Sequence, residues 1–340
     1  MQKLVATTTI RGFQPYMIPA ARLAELIETP ALAELRALSF QFSGGSAGQD
    51  DFEVRAFERL SKTPVGEHLH SLSLRSGLSA KGLRALASAK SFGSLRRLRL
   101  AHLAGDTSDW CKLTTATMFR GLTQLQLALP DPEIAEAMSD GLGTLPDLHT
   151  LDLRRVASEA VGGLTTGAFS RLVRFEVGGC KLTSNTLREL LDREWFERLR
   201  VLDLASTNLG DRAISSLAAH PVAGNLRVLR LGNNKIGTTG LMALGRGRFS
   251  NLRRLSLSVS AGTKSRFTDT DLASFLSSLQ LPQLRCLELR GLPLGHVGVW
   301  AIAANSAFEG LRELWLGEGV TENGMKALKD AKHLQQARIV

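Results

Sequence analysis

Three carboxylates recur at similar intervals in the middle of the chain. Asp152, Glu176 and Asp203 are 24 and 27 residues apart, and each stands between two apolar residues. Clustered carboxylate oxygens are the ligands that a divalent cation prefers. Arginines stand two residues away, at Arg154 and Arg174, and a carboxylate beside an arginine forms an ion pair instead. We therefore expect charged contacts, among these side chains or with a binding partner, rather than a metal site.

Two signatures of enzyme classes are absent from the sequence. The seven histidines include no pair at i and i+4, the spacing with which one helix holds a zinc ion. The Gly-x-x-x-x-Gly-Lys-Ser/Thr loop that cradles nucleotide phosphates is also missing, because the segment 262–265 lacks the first glycine of that motif. We predict a protein that is not an enzyme and that uses no cofactor and no metal.

The chain is strongly basic, with a net charge of +10 and a pI near 10. A charge of this size could attract nucleic acid or another polyanion. However, 31 of the 42 basic residues are arginine. In seven of the twelve repeated openings described below, an arginine directly follows the first leucine. We therefore assign most of the charge to the scaffold and keep nucleic-acid binding as the weaker hypothesis.

Features of membrane and secreted proteins are missing from the sequence. A membrane-spanning helix needs roughly 18 or more consecutive apolar residues, and no such run occurs. The segment from Met1 to Phe13 is too polar for a secretory signal. The three cysteines, Cys111, Cys180 and Cys286, are far apart and lack the spacing of metal ligands. These observations predict a cytoplasmic protein that does not contact a membrane.

The elements that position these side chains follow from a repeated apolar pattern. Leu-x-x-Leu-x-Leu, or a close variant, begins at Leu35, Leu69, Leu95, Leu122, Leu148, Leu172, Leu199, Leu226, Leu252, Leu284, Leu311 and Leu334. The steps between these openings range from 23 to 34 residues, and most are 26 or 27. A period in this range, kept over most of a chain, is typical of a solenoid.

Each repeat is predicted to form a strand followed by a helix. In the repeat that opens at Leu226, the residues Leu226, Leu229 and Leu231 are predicted to face inward. Val228 and Arg230 then lie on the other face, because side chains alternate along a strand. A second signature, Gly-apolar-x-Ala-Leu/Ile, begins at Gly82, Gly240, Gly298 and Gly324. Its apolar residues form one helical stripe, and the expected N-caps are Ser79, Thr238 and Thr321. Because one such unit cannot bury its own apolar face, successive units must stack.

This pattern resembles the leucine-rich repeat family, in particular its long-repeat, ribonuclease-inhibitor-like class. The extended motif matches best at 172–182 and 226–236, where Cys180 and Asn234 occupy the ninth position. In the family, the side chain at that position fixes the turn after the strand. The resemblance implies an α/β solenoid, a right-handed horseshoe with a parallel β-sheet on the concave side and helices on the convex side. It also implies a surface for binding proteins.

The domain organisation predicted from the repeats is simple. Residues 1–31 do not fit the pattern and are assigned to an N-terminal cap, with a strand over 4–10 and a helix over 19–28. Residues 32–340 form one continuous repeat domain. The Gly/Ser/Asp-rich stretch 43–51 is predicted to be a loop. The segment 11–21 is similar to the lead-in of bacterial leucine-rich-repeat proteins, which implies a bacterial origin.

The concave face would carry most of the chemistry. Its central column, at the fifth motif position, is predicted to contain Ser39, Ser73, Arg99, Gln126, Asp152, Glu176, Asp203, Arg230, Ser256, Glu288, Trp315 and Arg338. The neighbouring columns supply Arg97, Arg154, Arg174, Arg254 and Arg290. We expect ion pairs between strands in this surface, such as Asp152 with Arg174 and Glu176 with Arg154, because like charges on neighbouring strands repel.

Two interpretations of this charged strip remain open. It is either a set of ion pairs that satisfy one another in solvent, or a docking surface for an unidentified protein, with Trp315 as an aromatic anchor. Alternatively, Trp315 packs near Gln336 and Arg338 at the final strand. The leading hypothesis is a scaffold that binds a protein on the concave face. The alternatives are polyanion binding, or an accessory role as a GTPase activator or ligase substrate receptor, whereas a small-molecule ligand is not expected.

Overall fold

The computed structural model describes residues 12–13, 34–40, 49–74, 78–101, 105–128, 133–134, 138, 141–142, 145–156, 158–164, 169–260, 265–317 and 319–340. The chain divides into two compact units, residues 1–172 and 173–340, and each is described by itself. The strand predicted over 4–10 and the helix predicted over 19–28 lie outside the described residues. The predicted boundary between cap and repeats stays a prediction.

Unit 1 contains six described strands that pair in chain order. They are β1 Gly12–Phe13, β2 Ala37–Phe40, β3 Ser71–Leu74, β4 Arg97–Ala101, β5 Gln124–Ala128 and β6 Thr150–Arg154. Every pair from β1–β2 to β5–β6 is parallel. The strand at Gly12–Phe13 precedes the first leucine-rich opening, and the apolar pattern did not predict it. A parallel strand order of this kind requires a crossover after every strand.

The described residues of unit 2 contain seven strands with the same arrangement. They are β7 Arg174–Glu176, β8 Val201–Asp203, β9 Val228–Arg230, β10 Arg254–Ser256, β11 Cys286–Glu288, β12 Glu313–Trp315 and β13 Arg338–Ile339. Each strand pairs in parallel with the next one along the chain. From β2 to β12, every strand begins two residues after a predicted opening leucine. The leucine pattern is therefore confirmed as the determinant of strand position.

Helices follow the strands. In unit 1 the helices with described bounds are α1 Gln49–Lys62, α2 Pro64–His68, α3 Ala80–Ser88, α4 Thr107–Thr115 and α5 Ser158–Leu164. In unit 2 they are α6 Ser184–Leu191, α7 Asp211–Ala219, α8 Thr238–Gly245, α9 Asp269–Ser278, α10 His296–Ala304 and α11 Glu322–Asp330. None of the described helices is long and apolar enough to cross a membrane. Each unit is a parallel α/β repeat structure.

The core of each unit is built from the motif leucines and from an aromatic position that the repeat pattern did not identify. In six repeats a phenylalanine stands three residues before the opening leucine and is at most 3% exposed: Phe92, Phe119, Phe169, Phe196, Phe249 and Phe308. The backbone amide of the opening leucine donates to the carbonyl of this residue, as from Leu311 to Phe308 at 2.9 Å. In these six repeats, the turn that precedes the strand therefore carries a buried aromatic ring.

Carboxylates connect the beginning of one helix to the beginning of the next. Asp269, at the start of α9, accepts hydrogen bonds from the backbone amides of Gly295, Val297 and Gly298 at 2.8–2.9 Å. Asp211 in α7 accepts from the amide of Gly237 in the same way. The first amides of a helix have no partner inside the helix, so the preceding repeat satisfies them. We name these contacts the carboxylate ladder.

Glu53 extends the carboxylate ladder to unit 1. Its Oε2 accepts from both the backbone amide and the hydroxyl of Ser79, the N-cap of α3, at 2.7 and 2.5 Å. The carboxylate is completely buried. A buried carboxylate must be hydrogen bonded to be tolerated, so these contacts explain how an acidic residue is accommodated between two helices.

The turn after the strand in the repeat around Asn234 is fixed by a side chain, as the ninth motif position predicts. Asn234 Oδ1 accepts from the backbone amides of Thr207 and Leu209, and its Nδ2 donates to the carbonyls of Leu204 and Leu231 at 2.7–2.8 Å. Thr207 fills the same position one repeat earlier, and its hydroxyl donates to the Leu204 carbonyl at 2.6 Å. A threonine can thus replace asparagine at this turn.

Two local predictions were wrong. Thr238 is the first residue of α8, and its N-cap is Gly237, because Asp211 from the preceding repeat already satisfies the exposed amide. The stretch 43–51 is not entirely a loop, since α1 begins at Gln49; residues 43–48 lie outside the described part. The N-caps at Ser79 and Thr321 are confirmed, and each accepts from the amide three residues later.

Candidate functional site: the open face of the sheet

The side chains that point away from the leucine core form what we call the open face of the sheet. The residue two positions after each opening leucine lies in the first column, the residue four positions after it in the central column, and the residue six positions after it in the third column. In unit 1 the register places Ser39, Ser73, Arg99, Gln126 and Asp152 in the central column. Ala37, Ser71, Arg97, Gln124 and Thr150 form the first column.

Asp152 is bound by the arginine of its own strand. Arg154 Nε and Nη2 donate to both carboxylate oxygens of Asp152 at 2.9–3.1 Å. Asp152 is 8% exposed, and a bidentate guanidinium is the partner that best neutralises such a carboxylate. The partner lies two residues along the strand, where side chains return to the same face.

Glu176 and Asp203 in unit 2 are also bound to arginines. Arg174 Nη1 donates to Glu176 Oε1 at 2.8 Å, within one strand. Arg230 Nη1 lies 3.3 Å from Asp203 Oδ2 and 4.0 Å from Glu176 Oε1. Asp203 Oδ1 additionally accepts from the backbone amide of Ala205 at 2.9 Å. Each of the two carboxylates is therefore paired with an arginine, which reduces the repulsion between them.

A second charged group occupies strands β10 to β12. Arg254 donates from Nη1 to Glu288 Oε1 at 2.9 Å and from Nη2 to Glu313 Oε2 at 3.3 Å. The thiol of Cys286 donates to Glu313 Oε2 at 3.3 Å. Burial first, and then the hydrogen bond to Glu313, raise the pKa of this thiol to about 12, while the charge of Arg254 opposes the shift. Cys286 is thus held as a neutral thiol.

Trp315 packs against Arg290, an arginine in the turn that follows the neighbouring strand β11. The guanidinium carbon of Arg290 lies 4.0 Å from the centre of the Trp315 ring, a cation–π arrangement. Trp315 Nε1 donates to Glu313 Oε2 at 3.3 Å. This hydrogen bond is the main cause that holds the pKa of Glu313 below its usual value, with the Cys286 thiol as the second cause. The ring is therefore fixed on both sides but remains half-exposed.

Arg97 and Arg99 differ from the other arginines of the predicted strip. Both side chains are exposed on β4, and no described carboxylate lies within ion-pair distance of either guanidinium. Their neighbours on β3 are Ser71 and Ser73, and on β5 they are Gln124 and Gln126. This group of six residues is named the Arg97–Arg99 patch.

The structure confirms most of the predicted columns and corrects one position. Arg338 was predicted in the central column beside Trp315, but it pairs with Glu313 in the first column. The cause is an extra turn before β13, where the amide of Ala337 donates to the carbonyl of Leu334. The final strand consequently begins four residues after its opening leucine.

Two participants in the charged groups were not predicted from the sequence. Glu313 accepts from Arg254, Cys286 and Trp315, and Cys286 was treated only as an isolated cysteine. Both stand two residues after an opening leucine, so a systematic inspection of the first column identifies them. The predicted ion pairs between Asp152 and Arg174, and between Glu176 and Arg154, join different units and stay predictions. In the structure, Asp152 pairs with Arg154 and Glu176 pairs with Arg174, each within its own strand.

No arrangement of metal ligands was found among the described residues. In the described ranges, no group of three or more histidine, cysteine, aspartate or glutamate side chains is placed to hold a metal ion. Glu176, Asp203, Glu288 and Glu313 have arginine nitrogens within 3.3 Å, which occupy the oxygens that a cation would need. Charged hydrogen bonding is the chemistry that this face offers.

Comparisons with known proteins address the fold. No protein-family model and no curated protein matches the sequence. A chain of the yeast Rad7–Elc1 complex is similar in structure, with 15% identity, a TM-score of 0.54, and coverage of 95% of this chain and 71% of that chain. A protein from Bacteroides fragilis matches with 11% identity and a TM-score of 0.48 over 78% of both chains. Together with the parallel repeats of each unit, the first similarity shows that the fold is that of a leucine-rich-repeat solenoid.

Proposed function

We propose that this protein is a non-enzymatic scaffold that binds a partner protein on the open face of the sheet. The observation that carries the proposal is the ordering of the charged and aromatic side chains of unit 2. Arg174, Arg230 and Arg254 are each held by a carboxylate, and Arg290 is stacked on Trp315. Ion pairs in solvent stabilise a fold little.

Such pairs nevertheless reduce the conformational freedom of long side chains. Immobilising a flexible side chain costs about 0.5–1.5 kcal/mol on binding, so a surface that is already ordered loses less entropy when a partner docks. Trp315 adds a half-exposed aromatic ring, the residue type most enriched among energetically dominant interface contacts. The structural neighbour was solved as a complex of Rad7 with Elc1, which is a precedent for protein contacts made by this fold.

Capture experiments would test the proposal. We would immobilise the protein, expose it to a lysate with and without nuclease at low and moderate salt, and identify the retained proteins. We expect the wild type to retain one defined protein after nuclease treatment and at moderate salt. The double variant Trp315→Ala with Arg290→Ala should not retain that protein. Arg227→Ala and Arg253→Ala together serve as the control, because both are exposed arginines of unit 2 outside the charged groups.

Recovery of nucleic acid alone, lost at moderate salt, would replace the scaffold with the polyanion hypothesis, because counterion release makes such binding strongly salt-dependent. An accessory role toward an enzyme stays a prediction and would be tested by assaying the captured protein with and without this chain. The ribonuclease-inhibitor-like class, the bacterial origin and the cytoplasmic location are further proposals. The ribonuclease-inhibitor-like class is supported by the helix of eight to ten residues in each complete repeat of unit 2.

A further inference from the structure

We propose that the Arg97–Arg99 patch binds an extended peptide segment of a partner protein that carries two acidic side chains at alternate positions. This inference rests on the proposed scaffold function and specifies the chemistry of the partner. It is carried by three observations: the missing carboxylate partners of Arg97 and Arg99, the register of the surrounding strands, and the polar side chains on both sides.

The charge of the patch is uncompensated within the described part of unit 1. Between β2 and β6, the first and central columns contain one carboxylate, Asp152. Asp152 lies two strands from Arg99 in the central column, and Arg154 binds both of its oxygens. In unit 2, by contrast, every arginine in these two columns from β7 to β10 has a carboxylate within 3.3 Å. The guanidinium groups of Arg97 and Arg99 are therefore available to anions of a partner.

The spacing of the two arginines selects the shape of the ligand. Arg97 and Arg99 are two residues apart on one strand and point to the same face, which places their Cα atoms about 6.6–7 Å apart. An extended peptide presents its side chains at i and i+2 with the same spacing. A segment that lies along β4 can therefore bring one carboxylate to each guanidinium. Two adjacent acidic residues would point to opposite sides of the peptide.

The residues beside the arginines fit a peptide backbone. Ser71 and Ser73 lie opposite Arg97 and Arg99 on one side, and Gln124 and Gln126 lie opposite them on the other. Neighbouring strands are about 4.8 Å apart, so hydroxyl and amide groups flank the bound segment on both sides. These groups both donate and accept hydrogen bonds. A polyanion without hydrogen-bond donors on its backbone would leave the acceptor oxygens of Gln124 and Gln126 unused.

Peptide binding to the purified full-length chain tests the inference. The probe is a fluorescently labelled peptide, Gly-Thr-Glu-Thr-Glu-Thr-Gly, measured by anisotropy. Threonine is chosen because it favours extended backbone. One control peptide has glutamine in place of both glutamates, and another carries the two glutamates next to each other. We expect the alternating peptide to bind at least about tenfold more tightly than either control, the difference that 1.4 kcal/mol corresponds to.

Protein variants locate the binding. Arg97→Gln with Arg99→Gln should weaken binding of the alternating peptide about tenfold or more. The matched control, Arg227→Gln with Arg253→Gln, removes the same charge from exposed positions of unit 2 and should change affinity less than twofold. Arg97→Lys with Arg99→Lys should give intermediate affinity, because lysine keeps the charge but not the bidentate geometry. All of these side chains are exposed, so thermal unfolding should confirm that every variant is folded.

Three results would overturn the inference: no binding of the alternating peptide, equal binding of the adjacent-glutamate peptide, or equal losses in the two glutamine double variants. Displacement of the peptide by a DNA oligonucleotide that binds more tightly and depends on the same arginines would also overturn it, in favour of nucleic acid. Failure of the peptide experiments while a defined protein is still captured through Trp315 would leave the scaffold proposal intact. If no protein is captured from the lysate but the alternating peptide binds as expected, the scaffold proposal fails while the peptide site stands.

Discussion

The Asp269 carboxylate occupies the space into which a side chain on Gly298 would extend. Gly298 donates its amide to Asp269 Oδ1 at 2.8 Å, and a Cβ atom added to Gly298 would stand 2.7 Å from that oxygen and 2.6 Å from Leu294 Cδ1. A Cβ atom added to Gly240 would likewise stand 2.6 Å from Asp211 Oδ1. In these two repeats, the glycine that begins the Gly-apolar-x-Ala-Leu/Ile signature is therefore required by the carboxylate of the preceding repeat.

Gly298→Ala should destabilise the protein, although alanine is the better helix former by about 1 kcal/mol. The added methyl group must displace Leu294, which is 1% exposed, or break the contacts of Asp269. We expect the free energy of unfolding to fall by about 1–3 kcal/mol, the usual range for overpacking, as measured by chemical denaturation.

A double-mutant cycle would attribute this cost to Asp269. In an Asp269→Ala background the carboxylate is gone, so Gly298→Ala should cost at least about 0.5 kcal/mol less than in the wild type, as expected for residues in contact. Equal costs in the two backgrounds would contradict the proposed role of the carboxylate.

Asn234→Ala should be strongly destabilising, because one side chain satisfies the backbone of two repeats. The substitution removes the partner of the Thr207 and Leu209 amides and of the Leu231 carbonyl, while the Leu204 carbonyl keeps only the Thr207 hydroxyl. We expect a loss of about 2–4 kcal/mol in the free energy of unfolding, since each unsatisfied buried group costs about 1–3 kcal/mol and water replaces part of the bonds. Asn251→Ala is the control, as Asn251 makes one exposed hydrogen bond to Gly224. A similar loss in the control would argue against the special role of Asn234.

Cys286 should resist alkylation at alkaline pH. Because burial and the hydrogen bond to Glu313 raise the pKa of the thiol to about 12, little thiolate is present at pH 9, and the thiolate is the reactive form. Iodoacetamide labelling, followed at each cysteine by mass spectrometry, should be at least about a hundredfold slower at Cys286 than in a short peptide containing cysteine. Glu313→Gln should accelerate the reaction, and an unchanged rate would contradict the contribution of Glu313.

The same raised pKa has a consequence for stability. Above the ordinary thiol pKa of 9.0 the unfolded chain loses this proton, whereas the folded chain retains it up to about pH 12. The contribution of Cys286 to stability is therefore complete below pH 9.0 and is lost as the pH rises through that interval. Thermal unfolding of Cys286→Ala should show a weaker dependence on pH there than the wild type.

The carboxylates of unit 2 should matter more for binding than for folding. Glu176→Gln with Asp203→Asn keeps the shapes of both side chains and leaves an acceptor for the amide of Ala205. Because the paired arginines are 34–40% exposed, we expect a loss of about 1 kcal/mol or less in the free energy of unfolding. Capture of a partner protein should nevertheless be abolished. A loss above about 3 kcal/mol would instead show that these pairs hold the sheet together.

The repeat pattern predicted the strands well because one physical requirement, burial of the leucines, fixes both where each strand begins and which side chains point into the core. The residue two positions after an opening leucine starts every strand from β2 to β12. The exception, β13, follows an inserted turn, so that Ile339 rather than Ala337 pairs with Leu314. The strand at Gly12–Phe13 lacks leucine altogether, so nothing in the pattern indicated it.

The partners of the charged side chains were harder to predict than their columns. An arginine can reach a carboxylate on its own strand or on the next, and the choice depends on rotamers and on the backbone amides nearby. Asp203 illustrates this, because the amide of Ala205 fixes one of its oxygens. The carboxylate ladder was not predicted either. Asp211 and Asp269 stand about one repeat before the residues that they bind, and the sequence around them indicates only the start of a helix.

The carboxylate ladder gives the repeats an order of dependence along the chain. Asp211 and Asp269 accept hydrogen bonds from the start of the next helix. If the preceding repeat unfolds, the backbone amides in the first turn of that helix lose their hydrogen-bond partners. Loss of the following repeat has the milder effect of exposing a carboxylate to water, where it is readily solvated. Damage at an early repeat should therefore spread toward the C-terminus more easily than damage at a late repeat spreads back.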